Sequence, residues 1–566
     1  MNMFFQTGFN LPAYAFGEIP PATLQVAMDT GYNSAITSVP RSPVVRVGIG
    51  NANFGTYVYS NITIYGTSDI QIFDNNKFLK SMPAYSNVTV KRNLGIYEIT
   101  FADGTKLTAQ GPVRFTCNNG LLGVKDLKRA GKPALYHGAF ELAKYNNDKF
   151  NLVNMIEVEE YLKGVVPNEM PVEFGLNALK AQTVAARNYV LSPRVKSSPN
   201  YDVVDSVASQ VYYGANTEKP LATQAVEETE GVVALFDRNL ILAQYSSTAG
   251  GYTESFSLAF SDPNTKEFPS PDKPYLKAKA DILTQKPLNN DKDAAEFYKS
   301  RPDSFDIRSP YYRWEKDWTA QELHDALQNT LVAQSATGFV KPAFNKGDKL
   351  GNLQALNVKR RGDSGKIVEL EIVTDTQNYI VQKELVIRRL FVNNGKALPS
   401  ANVVFECAQD DYGNIVSVKA YGGGYGHGVG LSQFGAGFMG AELKIPYEKI
   451  LQHYYTDIVL GTKPVTLSGA GQTITQSFYT TGKETNLVID NYSFDKTLNC
   501  VINGKDVTLD IAGALFADKQ SRIDISKYIK KGRNTITFIA PDALQHGKHI
   551  ELYVELVKKD DFKYNW

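Results

Sequence analysis

Two stretches of this 566-residue chain hold residue types that could do chemistry. The first centres on Glu169, in Val165-Val-Pro-Asn-Glu169-Met-Pro171. A positioned carboxyl can give a proton and take one back. Prolines at 167 and 171 fix φ and remove backbone donors, so the sequence predicts a rigid turn that presents one carboxylate. A short helix over 156–166 is expected to stop before it. The apolar Val165, Val166 and Met170 would desolvate the carboxyl and raise its pKa, as suits an acid. A second helix is expected from Gly175 to Leu191. On a wheel its Lys180 and Arg187, seven residues apart, fall inside the apolar sector. Two readings stand. The stems snorkel over the core, or both cations face a polar pocket and hold a carboxylate or ligand, in which case they would pull the Glu169 pKa down.

The second stretch is Tyr421-Gly-Gly-Gly-Tyr425-Gly-His427-Gly-Val-Gly-Leu-Ser432-Gln433-Phe-Gly-Ala-Gly-Phe-Met-Gly440, nine glycines in twenty positions. Glycine loses the most backbone entropy on folding and packs nothing, so such a run is expected where backbone takes positive φ or approaches something closely. His427, Ser432 and Gln433 are its polar groups, and a binding surface is the expectation. Read bare, His427 is a satisfied loop histidine. Glu173, four residues past Glu169 but across Pro171, reads as a solvated charge. Glu254 is a weaker candidate for a second carboxylate, and His453 and Cys407 read as structural.

The elements that must carry these groups give an α+β chain. Residues 1–42 read as a leader or loose arm. Ala13-Tyr14-Ala15 has a small-x-small pattern, but residues 1–12 lack a basic region and an apolar core, so either the start is truncated or the pattern is coincidence. Residues 43–150 form a β-rich region, with strands near Val44–Ile49, Thr56–Tyr65, Ser86–Val90 and Tyr97–Phe101, the last entering a hairpin at Asp103-Gly104. Residues 151–464 form the core that bears both motifs, with 262–400 an inserted or peripheral α+β part. A helix is expected near Thr319–Leu331, strands near 357–381, and a final helix from Tyr447 to Tyr455. Residues 465–566 read as a separate all-β, jelly-roll-like domain with an Asn503-Gly504 hairpin.

Composition narrows the function. With 60 basic and 59 acidic residues the net charge is +1, which gives no pull toward nucleic acid or anionic membranes. No apolar run is long enough to span a bilayer. Cys117, Cys407 and Cys500 sit far apart and suggest neither a disulfide framework nor a thiolate metal site. The 32 tyrosines against 3 tryptophans suit surfaces that stack on sugars, and also suit strands.

The segments Tyr161-Leu-Lys-Gly-Val-Val-Pro-Asn-Glu169-Met-Pro171, Leu176-Asn-Ala-Leu-Lys180-Ala-Gln-Thr-Val-Ala-Ala-Arg187-Asn-Tyr189, Tyr245-Ser-Ser-Thr-Ala-Gly-Gly-Tyr-Thr-Glu-Ser255 and Gly424-Tyr-Gly-His-Gly-Val-Gly-Leu-Ser-Gln-Phe-Gly435 resemble, in order, the stage II sporulation protein D and amidase-enhancer family. The resemblance covers roughly residues 155–460. It implies a peptidoglycan-active protein outside the cytoplasmic membrane, whose enzymes are lytic transglycosylases on denuded glycan strands and leave a 1,6-anhydro-muramyl end. It maps the catalytic glutamate onto Glu169. It maps binding and support onto Lys180, Arg187, Ser247, Thr248, Thr253, Tyr425, His427, Ser432 and Gln433. The chemistry agrees with a lone carboxyl: ordinary glycosidases need two, whereas a transglycosylase needs one, acting as acid and then as base. Some members of the family are non-catalytic enhancers of a cell-wall amidase, and a generic glycan-binding wall protein is a third reading. Zinc-binding members place His and Cys near the site. This chain has Gln244-Tyr-Ser-Ser247 there, so neither a metal nor another cofactor is expected. Glycan strands and an amidase are the expected partners.

Overall fold

The computed structural model describes residues 42–192, 197–282, 286–515, 521–544 and 546–559. The expected leader arm and its Ala13–Ala15 pattern lie outside the described residues, apart from Ser42. The chain divides into two compact units. Ala243–Asp457 forms one, and the residues before it join Ile458–Lys559 in the other.

The unit built from both ends of the chain is mostly β. Val44–Gly48 pairs antiparallel with Phe150–Glu157 in an eight-stranded sheet, and Asn61–Gly66, Val88–Asn93 and Ile96–Phe101 run through a six-stranded one. Alternation drives this pairing. Val88 and Val90 are fully buried while Thr89 and Lys91 between them are exposed, so only one register puts the apolar set inside. The expected hairpin after Phe101 forms, with Gly104 at φ 83° and Lys106–Ala109 returning along Ile96–Phe101. The strand Phe150–Glu157 leads directly into helix Val158–Glu169, and helix Gly175–Leu191 follows.

The first helix differs from expectation. It does not stop at Pro167 but runs through it to Glu169, so the carboxylate sits on the last helical turn rather than on a proline-locked turn. A proline this close to the C-terminus deletes one N–H, and the ladder closes around it. Met170 N–H donates to the Val166 carbonyl at 3.0 Å, and the Asn168 side-chain amide donates to the Gly164 carbonyl at 2.7 Å.

Val233–Phe236 pairs with Val459–Gly461, which pairs with Ile550–Val557, so one sheet runs from the helical region into the C-terminal residues. A second sheet, ordered Thr473–Thr480, Gly532–Ile539, Thr497–Ile502, Lys505–Asp510, faces it across a core of Phe478, Leu487, Ile489, Leu498, Ile536 and Leu552. The Asn503-Gly504 turn forms, both residues at positive φ as a two-residue hairpin requires.

The other unit carries an antiparallel sheet Trp314–Thr319, Ile415–Gly422, Val403–Gln409 and a four-stranded sheet that includes Leu353–Arg361 and Ile367–Thr374. Helix Ala320–Ser335 packs against both through Leu323, Leu327 and Leu331, and Thr319 with Glu322 forms its capping box. Helix Tyr447–Tyr454 buries Ile450, Leu451 and Tyr454 on the face its spacing predicts.

Candidate active site

Glu169 lies half-buried at the C-terminal end of its helix. Its Oε1 accepts one hydrogen bond, from the Val211 N–H at 2.7 Å. Burial lifts its pKa from 4.5 to about 7, against a smaller downward pull from that N–H. The negative end of the helix dipole works in the same direction as burial. Tyr161 and Tyr189 stand near enough that the Glu169 charge, after burial, helps hold both phenols protonated.

The Val211 loop is anchored on both sides. Asp205, fully buried, takes both Arg129 Nη2 at 2.7 Å and the Gly50 N–H at 3.0 Å. Tyr212 Oη donates to Asn154 Oδ1 at 2.9 Å, and its ring packs 4.8 Å from that of Tyr161. Asn168 Nδ2 also donates to Thr217 Oγ1 at 2.7 Å, which ties the helix end to the following segment.

The two predicted cations hold carboxylates of the chain itself. Arg187, 1% exposed, grips Glu159 with Nε at 2.8 Å and Nη2 at 2.6 Å and donates Nη1 to the Val232 carbonyl. Lys180 pairs with Glu228 at 2.5 Å. With both cations so engaged, the Glu169 carboxyl is set by burial and by the Val211 N–H. Asn188 clamps strand Val233–Phe236 to the helix, exchanging hydrogen bonds with Ala234 N–H and carbonyl at 2.7 Å each.

The remaining predicted residues lie in the other unit, where the two glycine-bearing motifs are laced together. Tyr245–Ser246 pairs parallel with Leu431–Ser432, and Thr248 exchanges backbone hydrogen bonds with Tyr425. Close approach explains the glycines. Gly430, at φ 71°, lies where a Cβ would meet the Gln244 carbonyl at 2.1 Å, and a Cβ at Gly435 would meet Tyr454 Oη at 2.0 Å. Ser432 Oγ accepts the Ala249 N–H at 3.2 Å, and Gln433 opens helix Gln433–Ala441. Ser247 and Thr248 hydroxyls lie 3.3 Å apart, and Thr248 meets Ser309 at 2.6 Å. Thr253 is fully buried and accepts the Lys279 N–H at 2.8 Å. The Tyr425 ring lies 4.3 Å from that of Tyr311, both half-exposed.

His427 Nδ1 accepts the Val429 N–H at 3.0 Å, which fixes a neutral ring with any proton on Nε2. Burial lowers its pKa to about 4, against the field of Glu384. Glu254 is fully buried. It takes the Ser364 hydroxyl at 2.6 Å and the Ser255 N–H at 2.8 Å, so its carboxyl is engaged within the fold. Glu173 is exposed.

Sequence reasoning missed Val211 and Asp205, which act through a main-chain N–H and a buried ion pair that leave no motif. Tyr189 stood in the quoted segment, but its residue type alone did not single it out.

Residues 146–236 match the family described as Stage II sporulation protein, and residues 263–430 match a domain of unknown function. An amidase enhancer of Bacillus subtilis (strain 168) is 29% identical over 64% of this chain and 52% of its own length, so this chain spans about half of that relative. An uncharacterized protein of Brachyspira hyodysenteriae is 28% identical over 57% of this chain and 71% of its own. Stage II sporulation protein D of Bacillus subtilis is 29% identical over 54% of this chain and 74% of its own. A family 35 carbohydrate binding module from an environmental isolate aligns over 16% of this chain and 75% of its own at 17% identity, with a TM-score of 0.12. The chain carries a domain of the SpoIID, or Stage II sporulation protein, family and is homologous over more than half its length to proteins named amidase enhancer and stage II sporulation protein D.

Proposed function

We propose that this protein acts on peptidoglycan outside the cytoplasmic membrane as a lytic transglycosylase, with Glu169 as its acid and then its base. The observation that carries the reading is the Glu169 carboxyl, with one neutral hydrogen-bond donor and a pKa of about 7. Such a group is part protonated and part ionised at neutral pH, so neither proton transfer runs far uphill. In the first half-reaction the protonated carboxyl donates to the oxygen that links C1 of a muramyl residue to the next sugar. The C1–O bond breaks and that sugar leaves as an alcohol. In the second, the muramyl 6-hydroxyl oxygen bonds to C1 and its proton passes to the Glu169 carboxylate. The carboxyl is restored, and no water is consumed. The engagement of Glu254 in its own buried network supports a one-carboxylate scheme over a two-carboxylate hydrolysis.

Lys180 and Arg187 serve this scheme by holding the helices that set Glu169. Ser247, Tyr425 and His427, which keep contact with solvent, belong to a glycan-binding surface in which the Tyr311–Tyr425 ring pair suits stacking on sugar faces, and the buried Thr248, Thr253, Ser432 and Gln433 support it from beneath. The C-terminal sandwich is of jelly-roll class in this reading. A second reading, favoured by the name of the amidase enhancer relative, is a glycan-binding protein that stimulates an amidase without cleaving strands itself.

Mass spectrometry of denuded glycan strands incubated with the protein and with its Glu169→Gln variant separates them. Anhydro-muramyl ends that vanish in the variant support the transglycosylase. Intact strands that remain bound to folded protein support the enhancer. Reducing ends contradict both.

A further inference from the structure

The largest sheet of the C-terminal sandwich has an outer face that the proposed reaction does not use. Leu487, Ile489, Leu552 and Val554 point into the sandwich core, so Val488 and Asp490 on one strand and Glu551 and Tyr553 on its neighbour point out. The register pairs Val488 with Tyr553 and Asp490 with Glu551, which makes a four-residue patch. A cavity of about 220 Å³ opens over it, walled on its other sides by Arg238, Asn239 and Thr466.

Two features mark this cavity as built. Asp490 is only 2% exposed and pairs with Arg238, yet neither of its oxygens accepts a hydrogen bond among the described residues. A buried carboxylate oxygen left without a donor is costly and wants a partner. Arg238 sits at the tip of the two-residue hairpin that joins Val233–Phe236 to Asn239–Leu240, with φ 62°, after Asp237 at φ 47°. Turns of that type favour glycine or asparagine at both positions. An arginine held there against backbone preference brings a guanidinium over Asp490 and within 3.6 Å of Glu551.

We propose that this cavity is a binding site for one uncharged pyranose ring. Adjacent ring hydroxyls each donate and accept. Asp490 and Glu551 offer acceptors, Arg238 and Asn239 offer donors, and together they match a vicinal diol. Val465, Val488 and the Tyr553 ring line the apolar side and suit the C–H face of the sugar. Two carboxylates against one guanidinium leave the cavity net negative, which rejects uronates and phosphates. The site is independent of Glu169 and would hold the protein on glycan whether or not cleavage occurs.

Saturation-transfer NMR and calorimetry on the full chain test this, with methyl glycosides of neutral hexoses and of N-acetylglucosamine, and with glucosamine and glucuronate as charged probes. Saturable binding of at least one neutral glycoside, with glucuronate silent, is expected. Asp490→Asn should weaken it at least tenfold. Thr466 is on the exposed rim, so Thr466→Trp fills the cavity mouth without touching the ion pair and should abolish binding. Three results would overturn the assignment. They are no neutral glycoside bound by folded protein, binding that Thr466→Trp leaves intact, or glucuronate bound as tightly as the neutral probes.

Discussion

Replacing Glu169 with glutamine should stabilise the protein, and do so in a pH-dependent way. The pKa is raised on folding from 4.5 to about 7 by burial. Between those values the unfolded chain has lost its proton while the folded chain keeps it. The folded state is therefore penalised progressively as pH rises through this window, and the full penalty stands above pH 7. A shift of this size is worth on the order of 3 kcal/mol as an upper figure, since Glu169 keeps some contact with solvent. Glutamine has the same shape and still offers an oxygen to the Val211 N–H at the Glu169 position, but it carries no charge to desolvate. Urea unfolding of both proteins from pH 4 to 8.5 reads the difference directly, because other titrations cancel. The glutamine variant should match the parent near pH 4, gain steadily to pH 7 and then hold its advantage. A flat difference, or a variant less stable at pH 8, would refute the claim that desolvation governs this carboxyl.

Other outcomes follow from the same geometry. If protonated Glu169 is the acid, kcat/KM on denuded strands should be flat below pH 7 and fall about tenfold per unit above it, as a pH–rate profile would read. Arg187→Met leaves the half-buried Glu159 without its guanidinium and should cost about 2–3 kcal/mol, less than for a fully buried pair, measured by chemical unfolding. His427 should stay neutral, with Nδ1 as the acceptor, down to about pH 5, readable from its ring nitrogen shifts by NMR. Gly430→Ala puts a methyl 2.1 Å from the Gln244 carbonyl at positive φ and should unseat the pairing of the two glycine-bearing motifs, seen as faster amide exchange of the Leu431 N–H that donates to that carbonyl.

Much of the fold was legible because its signals are local. Strand-type residues marked Tyr97–Phe101 with the Asp103-Gly104 turn after it, Asn503-Gly504 marked its hairpin, and the 3.6-residue period marked the helices expected from Gly175 to Leu191 and from Tyr447 to Tyr455. The glycine run was also readable, since positive φ at Gly430 and close approach at Gly435 are the two things its composition predicts. Pro167 misled because a proline deletes one hydrogen bond, and a helix near its end can spare one. Lys180 and Arg187 were placed on the right helix face, but their partners Glu228 and Glu159 lie on other segments, and no pattern within one helix names them. Val211 was invisible because any residue type but proline can donate a main-chain N–H. Arg238 and Asp490 were invisible because only the fold brings a hairpin tip to a strand so distant in sequence.

The central claim is that one carboxyl, Glu169, cleaves a glycan strand without spending water. Digestion of denuded strands in H₂¹⁸O, by the protein and by its Glu169→Gln and Glu254→Gln variants, tests it most directly. The account predicts unlabelled anhydro-muramyl ends from the parent, the same unlabelled ends from folded Glu254→Gln, and none from Glu169→Gln. Products carrying ¹⁸O at a new reducing end, or cleavage that survives the loss of the Glu169 carboxyl, would contradict it.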